Sequence, residues 1–183
     1  MEYNPDKHHR RSIRLRGYDY GQVGAYFVTI CTHKRACLFG QVVDGTVQLN
    51  AFGQIVKSEW INTLSVRPQV GLDEYVVMPN HIHGILVTVN TGRGVLQYAP
   101  TARQGAPFVS PSQTIGAIVR GFKSIATKRI NALRHTPGMP VWQRNYYEEI
   151  IRDEHDLARI RQYIQDNPSK WPEDVENPQH RNR

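Results

Sequence analysis

The sequence predicts an α+β fold: a ferredoxin-like antiparallel sheet with helices on one face, plus one further helix near the C-terminus. Three observations lead to this class. The chain has 183 residues, 39% of them hydrophobic and 21% charged, which suits one domain with a proper core. Its segments follow one another as strand, helix, strand, strand, helix and strand. The regular βαβ alternation of a parallel sheet is missing.

The first half of the domain supplies two strand regions and a helix. Residues 25–32 are dense in β-branched and aromatic side chains, which indicates a central strand. A second strand region, 42–49, contains an Asp-Gly pair typical of a hairpin turn. Asn50 then caps a helix that runs to about Leu64. The apolar stripe of this helix comprises Phe52, Ile55, Val56, Trp60, Ile61 and Leu64.

The second half repeats the pattern. Two strands at 72–78 and 83–89 are joined by a tight turn at Pro79 and Asn80. Ser110 or Ser112 opens a long helix to about Arg134, whose predicted buried face is Ile115, Ile118, Val119, Phe122, Ile125, Ala126 and Ile130. A short strand at 147–152 follows. Asp153 is a good N-cap for the last helix, Glu154–Asp166, which Pro168 ends.

The predicted domain, residues 24–170, is flanked by less regular segments. Residues 1–23 form a basic arm, which either follows phosphates or is a solvated tail. Residues 90–111 are rich in Gly, Pro, Ser and Thr, which predicts a mobile loop. Residues 171–183 are rich in Pro, Asn and charge, which predicts a flexible tail.

The charge favours a polyanionic partner. Lys and Arg outnumber Asp and Glu by 23 to 16, which gives a net charge of +7 and, most often, a nucleic acid as partner. No apolar run approaches the roughly 20 residues of a membrane helix, so we expect no membrane partner. A basic polar face on the long helix could track phosphates or be merely solvated. The candidate nucleic-acid-binding residues are Arg10, Arg11, Arg14, Arg16, Arg120, Lys123, Lys128 and Arg144.

Two histidines begin one of the predicted strands. In a strand, His81 and His83 point to the same face, and Ile82 points to the other. Two neutral imidazoles a few ångströms apart make half of a metal site. The alternative is a pair of surface histidines with ordinary hydrogen bonds.

Tyr163 and Asn167 lie four residues apart, so they share a face of the last helix. Either residue alone would be ordinary: a half-buried tyrosine and a polar residue before a proline. Together with the histidine pair, they would provide the groups that metal-assisted attack on a phosphate needs. A divalent ion held by two imidazoles and an amide oxygen keeps positions open for phosphate oxygens, while a phenol attacks phosphorus.

Four motifs in order carry a family resemblance: YFVT at 26–29, MPNHIH at 78–83, WQRNYY at 142–147 and YIQDNP at 163–168. From about Ser12 to Trp171 the chain resembles the REP-associated tyrosine transposases, of the HUH (His-hydrophobic-His) single-tyrosine superfamily. Transposases of the insertion sequences proper commonly have Gln at the amide position. The shorter Asn167 agrees with the REP-associated branch.

The resemblance implies an activity. His81, His83 and Asn167 would bind Mg²⁺ or Mn²⁺, and Tyr163 would be the catalytic nucleophile on the C-terminal helix. The implied enzyme cleaves and rejoins single-stranded or hairpin (REP-type) DNA through a 5′-phosphotyrosine. It would act in the bacterial cytoplasm, at the nucleoid, as a monomer or homodimer.

Several alternatives stay open at this level. Tyr146 and Tyr147 are rival nucleophiles, although neither has a ligand-type residue one turn away. A non-catalytic hairpin-binding protein could keep the same fold. A replication initiator or relaxase would share the nicking chemistry on a different DNA.

Overall fold

The computed structural model describes residues 24–88 and 114–179. Six strands lie in this part of the chain: β1 (Gly24–Cys31), β2 (Gly40–Val43), β3 (Thr46–Leu49), β4 (Val70–Val77), β5 (His81–Thr88) and β6 (Tyr147–Ile151). Three α-helices lie between and after them: α1 (Ala51–Val66), α2 (Ile115–Leu133) and α3 (Glu154–Asp166). The fold is α+β, as the sequence predicts. The basic arm, which contains Arg10, Arg11, Arg14 and Arg16, lies outside the described residues, as does the loop predicted at 90–111.

The main sheet has four antiparallel strands in the order β4-β5-β1-β6. The β2-β3 hairpin forms a separate small sheet. Strands β5 and β1 are therefore central, and their register places Cys31 opposite His81 and Thr29 opposite His83. The histidines thus lie on an interior strand, at the end where it leaves the Pro79-Asn80 turn.

The two faces of the sheet carry different helices. Tyr26, Val28 and Ile30 of β1 contribute to the core that α1 and α2 cover. On the other face, Phe27 and Ile85 pack against α3. This alternation is the two-residue period of a strand. Within residues 24–88 and 114–179, no helix is long and apolar enough to cross a bilayer.

Gly84 permits the close packing of α1 on the sheet. A Cβ atom placed there would lie 2.5 Å from Cζ2 of Trp60, far inside van der Waals contact. Trp60 is fully buried and meets Phe122 of α2 edge to face, with ring centroids 5.2 Å apart. The indole therefore rests directly on the backbone between the histidines and Ile85.

Local sequence rules predict most elements correctly. The Asp-Gly pair at 44–45 does join a hairpin, and α3 begins and ends where its cap and proline indicate. Asn50 caps α1 by accepting from the backbone N–H groups of Phe52 and Gly53. Helix α2 begins later than Ser110 or Ser112, with Thr114 as its N-cap.

The predicted helix faces are wrong at their edges. Ile61 and Leu64 of α1 are 44% and 42% exposed, and Ile125 of α2 is 41% exposed. Helix α2 instead packs on the flank of α1 that carries Glu59 and Thr63, both buried. An ion pair between Glu59 and Arg129 of α2 makes this burial of a carboxylate tolerable.

The C-terminal segment is packed, which corrects the prediction of a flexible tail for its described part. Trp171–Glu173 form a 3-10 turn, and Asp174 and Asn177 are buried. Arg35 pairs with Glu176 at 2.7 Å, and Asn80 Nδ2 donates to the Glu176 carbonyl at 2.7 Å. The composition of this segment predicted a tail because it has few apolar residues. The segment is held in place by polar contacts with residues far away in sequence, which composition does not reveal.

Candidate active site

The histidine pair lies on the sheet face that α3 covers. His81 and His83 are 0% and 2% exposed, and their ring centroids lie 4.4 Å apart. The turn before β5 is closed by a hydrogen bond from the Met78 N–H to the His81 carbonyl, at 2.8 Å. The sequence prediction of two imidazoles on one strand face is confirmed.

Hydrogen bonds to the Nδ1 atoms orient both rings. His81 Nδ1 lies 2.8 Å from Asn80 Oδ1, while Asn80 Nδ2 donates to the Arg35 and Glu176 carbonyls. Because an amide oxygen only accepts, His81 Nδ1 carries the proton and Nε2 keeps a free lone pair. His83 Nδ1 lies 2.8 Å from the Thr29 hydroxyl. Both Nε2 atoms therefore point away from the sheet and towards α3.

Burial keeps both imidazoles neutral. It lowers the pKa of His83 to about 3. Burial, and then the neighbouring His83 and Arg35, lower the pKa of His81 well below its usual range. Neutral imidazole is the form that binds metal ions, so both histidines are in the protonation state that can bind a metal ion near pH 7.

Tyr163 stands beside the second histidine. Its hydroxyl lies 3.3 Å from His83 Nε2, and its ring meets Phe27 edge to face at 5.9 Å. The side chain is 43% exposed, so the phenol faces both the histidines and solvent. Burial, and then the Asp174 carboxylate, raise its pKa. The phenol is therefore protonated at neutral pH.

Asn167 and Asp174 complete the cluster. Both are buried, and Asp174 Oδ2 lies 3.7 Å from His81 Nε2. His81 Nε2, Asn167 Oδ1 and Asp174 Oδ2 are buried and have no hydrogen-bond partner at normal distance. Ligand atoms of His81, His83 and Asp174 all lie within 4.8 Å of one another. Buried polar atoms of this kind, beside two imidazoles, are a set that could bind a cation.

The donor set fits a divalent ion. Two imidazole nitrogens, an amide oxygen and a carboxylate oxygen converge, and burial raises the pKa of the Asp174 carboxyl, so a cation would favour its ionised form. Asp174 was missed by sequence reasoning. It comes from the segment expected to be a flexible tail, and no sequence spacing links it to the histidines.

The rival tyrosines lie elsewhere. Tyr146 packs against the core under α1 and α2, and its hydroxyl donates to Glu148. Tyr147 is 47% exposed on the face of the histidines, with its ring 6.3 Å from Phe27 and its hydroxyl donating to Glu149. The structure brings Tyr163, and not these two, against a histidine.

The predicted basic residues of the second half meet in one groove. It has a volume of about 1380 Å³ and is lined by α2 and by residues 135–146. This groove is on the α1–α2 face, across the sheet from the histidines. Its predicted members are Arg120, Lys123, Lys128 and Arg144.

Lys123 differs from our expectation of a phosphate contact. Its ammonium donates to the backbone carbonyls of Gln143 and Asn145, each at 3.0 Å, and weakly to that of Arg144 at 3.5 Å. Burial lowers the pKa of Lys123 to about 8. The side chain therefore holds the 143–145 loop in place, while Arg120, Lys128 and Arg144 stay exposed.

Comparison with known proteins places the chain. No protein-family profile matches it. A protein of Haemophilus influenzae, described only as uncharacterized, is 45% identical over 174 residues, which cover 94% of this chain and 96% of that protein. The chain belongs to the same family as this protein.

One solved structure carries an informative description. A REP-associated tyrosine transposase bound to a REP hairpin superposes with a TM-score of 0.58 at 22% identity, over 88% of this chain and 74% of the other. The chain has the fold of a REP-associated tyrosine transposase. A second transposase-type structure, from Deinococcus radiodurans, gives a TM-score of 0.43 at 18% identity, which is too low to support an argument.

The fold expected from the four sequence motifs is thus confirmed. Within that fold, the motif residues His81, His83, Tyr163 and Asn167 come from β5 and α3 and meet on one face. At 22% identity the likeness concerns architecture.

Proposed function

We propose that the protein is a metal-dependent endonuclease and strand transferase that cleaves and rejoins single-stranded hairpin DNA of the REP type through a 5′-phosphotyrosine. One observation carries this proposal. The Tyr163 hydroxyl lies 3.3 Å from His83 Nε2, beside a pocket in which three buried polar atoms have no partner. A nucleophile next to side chains that can bind a divalent cation is the arrangement that phosphoryl transfer needs.

The residues that would hold the ion are His81, His83 and Asn167, to which the geometry adds Asp174. When bound, Mg²⁺ or Mn²⁺ would act as a Lewis acid that withdraws charge from the scissile phosphate. The hydrogen bonds of Asn80 and Thr29 keep the two Nε2 atoms aimed at the site.

Tyr163 would form the covalent link. Its oxygen attacks the phosphorus, and the bond between phosphorus and the preceding O3′ breaks. The phenol proton passes to solvent, and the leaving oxygen takes a proton to become a free 3′-hydroxyl. The number of phosphoester bonds is unchanged, so a second 3′-hydroxyl can reverse the step and join strands without ATP.

Hairpin DNA is the proposed substrate because the protein of similar fold is bound to a REP hairpin and this chain is basic. Arg120, Lys128 and Arg144, exposed along the groove, are the proposed phosphate contacts. Arg10, Arg11, Arg14 and Arg16 of the basic arm remain predicted contacts.

Two further expectations stay predictions: action at the nucleoid, and a monomeric or homodimeric state. All four predicted site residues come together within one chain. A monomer would therefore contain a complete site, without exchange of α3 between subunits.

Tyr163→Phe tests the proposal. With labelled hairpins that carry single-stranded flanks, and with Mn²⁺ present, the wild-type protein should give a covalent adduct on a denaturing gel. Tyr163→Phe should bind the hairpin as tightly and give no adduct, because only one oxygen is lost and the ring stays packed on Phe27. His81→Ala should also give none.

Tyr147→Phe is the matched control, because Tyr147 lies on the same face against the same phenylalanine. It should keep the adduct. A 5′-linked adduct on Tyr163→Phe would transfer the nucleophile to another residue. Binding without an adduct in the wild type would support the non-catalytic hairpin-binding alternative, and cleavage of a plasmid origin in place of a hairpin would support the replication initiator or relaxase.

A further inference from the structure

Ion pairs tie the tyrosine helix to both edge strands of the sheet. Arg161 of α3 binds Asp73 of β4 with two hydrogen bonds, of 2.7 Å and 2.6 Å. On the opposite side, Arg159 reaches Glu149 of β6 through a single contact of 3.2 Å. The first pair is a bidentate fork, which fixes orientation as well as distance. The second is a looser, single contact.

Asp73 lies where β4 departs from regular pairing. The register with β5 shifts between Leu72 and Tyr75, so Asp73 and Glu74 fall at an irregularity of the ladder. Glu74 accepts a further hydrogen bond from α3, donated by Gln165 at 3.0 Å. The Arg161 guanidinium also lowers the pKa of Asp73, so the pair stays ionised at neutral pH. Bulges of this kind often re-aim side chains near functional sites.

The spacing of residues on α3 makes the fork a control on rotation. The helix rests on the sheet through a narrow apolar stripe, Leu157, Ile160 and Ile164. At 100° per residue, Arg161 and Gln165 lie on one flank of that stripe. Tyr163 and Asn167 lie on the other. A roll of the helix that frees Arg161 from Asp73 therefore moves the phenol relative to His83.

We propose that the Asp73–Arg161 fork sets the roll of α3 and so positions Tyr163 and Asn167 for the reaction. The inference rests on the proposed function. Asp73 and Arg161 are positioning residues, since they contact neither the histidines nor the phenol. The Arg161 side chain is 43% exposed, and such pairs add little to stability. A misplacement of about 1 Å at a reacting atom, by contrast, can cost roughly 100-fold in rate.

The test compares Asp73→Asn with Glu149→Gln, which removes one carboxylate charge at the other edge strand. Adduct formation is measured in a single turnover at saturating hairpin. Asp73→Asn should slow it by roughly 10- to 100-fold, with unchanged hairpin affinity and melting temperature. Glu149→Gln should stay within about threefold of the wild type, because Arg159 makes a single contact with Glu149 and also pairs with Asp156. The doubly substituted Asp73→Arg, Arg161→Asp protein restores the pair in reverse and should recover most of the rate.

An unchanged rate in Asp73→Asn overturns the inference, as do equal losses in both single variants or a swap that recovers nothing. A second readout separates this inference from the proposed function. Asn167 lies on the same flank of α3 as Tyr163, so the affinity for Mn²⁺ should fall in Asp73→Asn and not in Glu149→Gln. The EPR signal of the free ion measures this affinity. If the wild type binds Mn²⁺ but forms no adduct, the proposed chemistry fails while the positioning role is still decided by this measurement.

Discussion

Asp174 reaches the histidines from a segment without regular structure, and its carboxylate is buried beside a neutral imidazole. An unpaired buried carboxylate is costly unless a proton or a cation neutralises it. The other four residues of the candidate site were predicted from the sequence to lie together, because strand alternation relates His81 to His83 and one helical turn relates Tyr163 to Asn167. Nothing local relates Asp174 to them. It is placed by tertiary contacts alone.

Replacing Asp174 tests whether it serves an ion. Asp174→Asn should raise the melting temperature in EDTA, because it removes the charge of a buried carboxylate whose Oδ2 has no hydrogen-bond partner, although Oδ1 accepts from the Glu176 N–H. It should also remove most of the rise in melting temperature that Mn²⁺ gives the wild type, since bound ion stabilises the folded state by mass action. Glu173→Gln, one residue earlier and exposed, is the control and should behave as wild type in both measurements. A full Mn²⁺ response in Asp174→Asn would exclude the carboxylate as a ligand.

At the scale of elements, boundaries are easier to predict than faces. Caps, prolines and the Asp-Gly turn act on neighbouring residues, so α3 and the β2-β3 hairpin lie where the sequence indicates. Which flank of a helix is buried depends on its neighbours. Ile61 and Leu64 are exposed because α2 packs on the Glu59 side of α1. Lys123 shows the same limit, since only the folded chain brings it to the carbonyls of 143–145.

Lys123 links α2 to the loop that carries Arg144. Lys123→Met should lower the free energy of unfolding by about 1–3 kcal/mol, because partly buried carbonyls lose their donor. Urea unfolding measures this change. Hairpin affinity should also fall, because the Arg144 loop loses its support. Lys128→Met removes an exposed charge from the same helix and should leave the unfolding free energy unchanged. Equal free energies of unfolding in Lys123→Met and Lys128→Met would contradict this structural role and favour the original prediction that Lys123 contacts phosphate.

The whole molecule has its two candidate sites on opposite faces of one sheet. The histidines, Tyr163 and α3 lie on one face, and the basic groove lies on the face that α1 and α2 cover. Net charge alone predicted a polyanionic partner but not this division, because composition contains no information about sides. Under the proposed function, this division predicts that binding and cleavage can be altered independently.

Charge reversal in the groove should weaken binding and spare the chemistry. Arg120→Glu with Lys128→Glu should raise the dissociation constant for hairpin DNA and make its dependence on salt shallower, by about one in logarithmic slope for each lost phosphate contact. At saturating DNA the rate of adduct formation should be unchanged. Lys57→Glu makes the same charge reversal as Lys128→Glu alone, at an exposed α1 position outside the groove lining, and should keep both the affinity and the slope where Lys128→Glu alone changes them. Equal weakening by Lys57→Glu would indicate a diffuse charge effect in place of a groove.

Gly84 has a consequence for how this protein can be lost in evolution. At Gly84, the side of β5 that faces away from the histidines has no room for even one methyl group, because Trp60 packs directly against it. A single-base change to a slightly larger residue there would push against the strand that carries both histidines, while every functional group remained in the gene. Inactive alleles of this family are therefore to be sought among substitutions at the back of the site, where a comparison of motif residues alone would count the protein as intact.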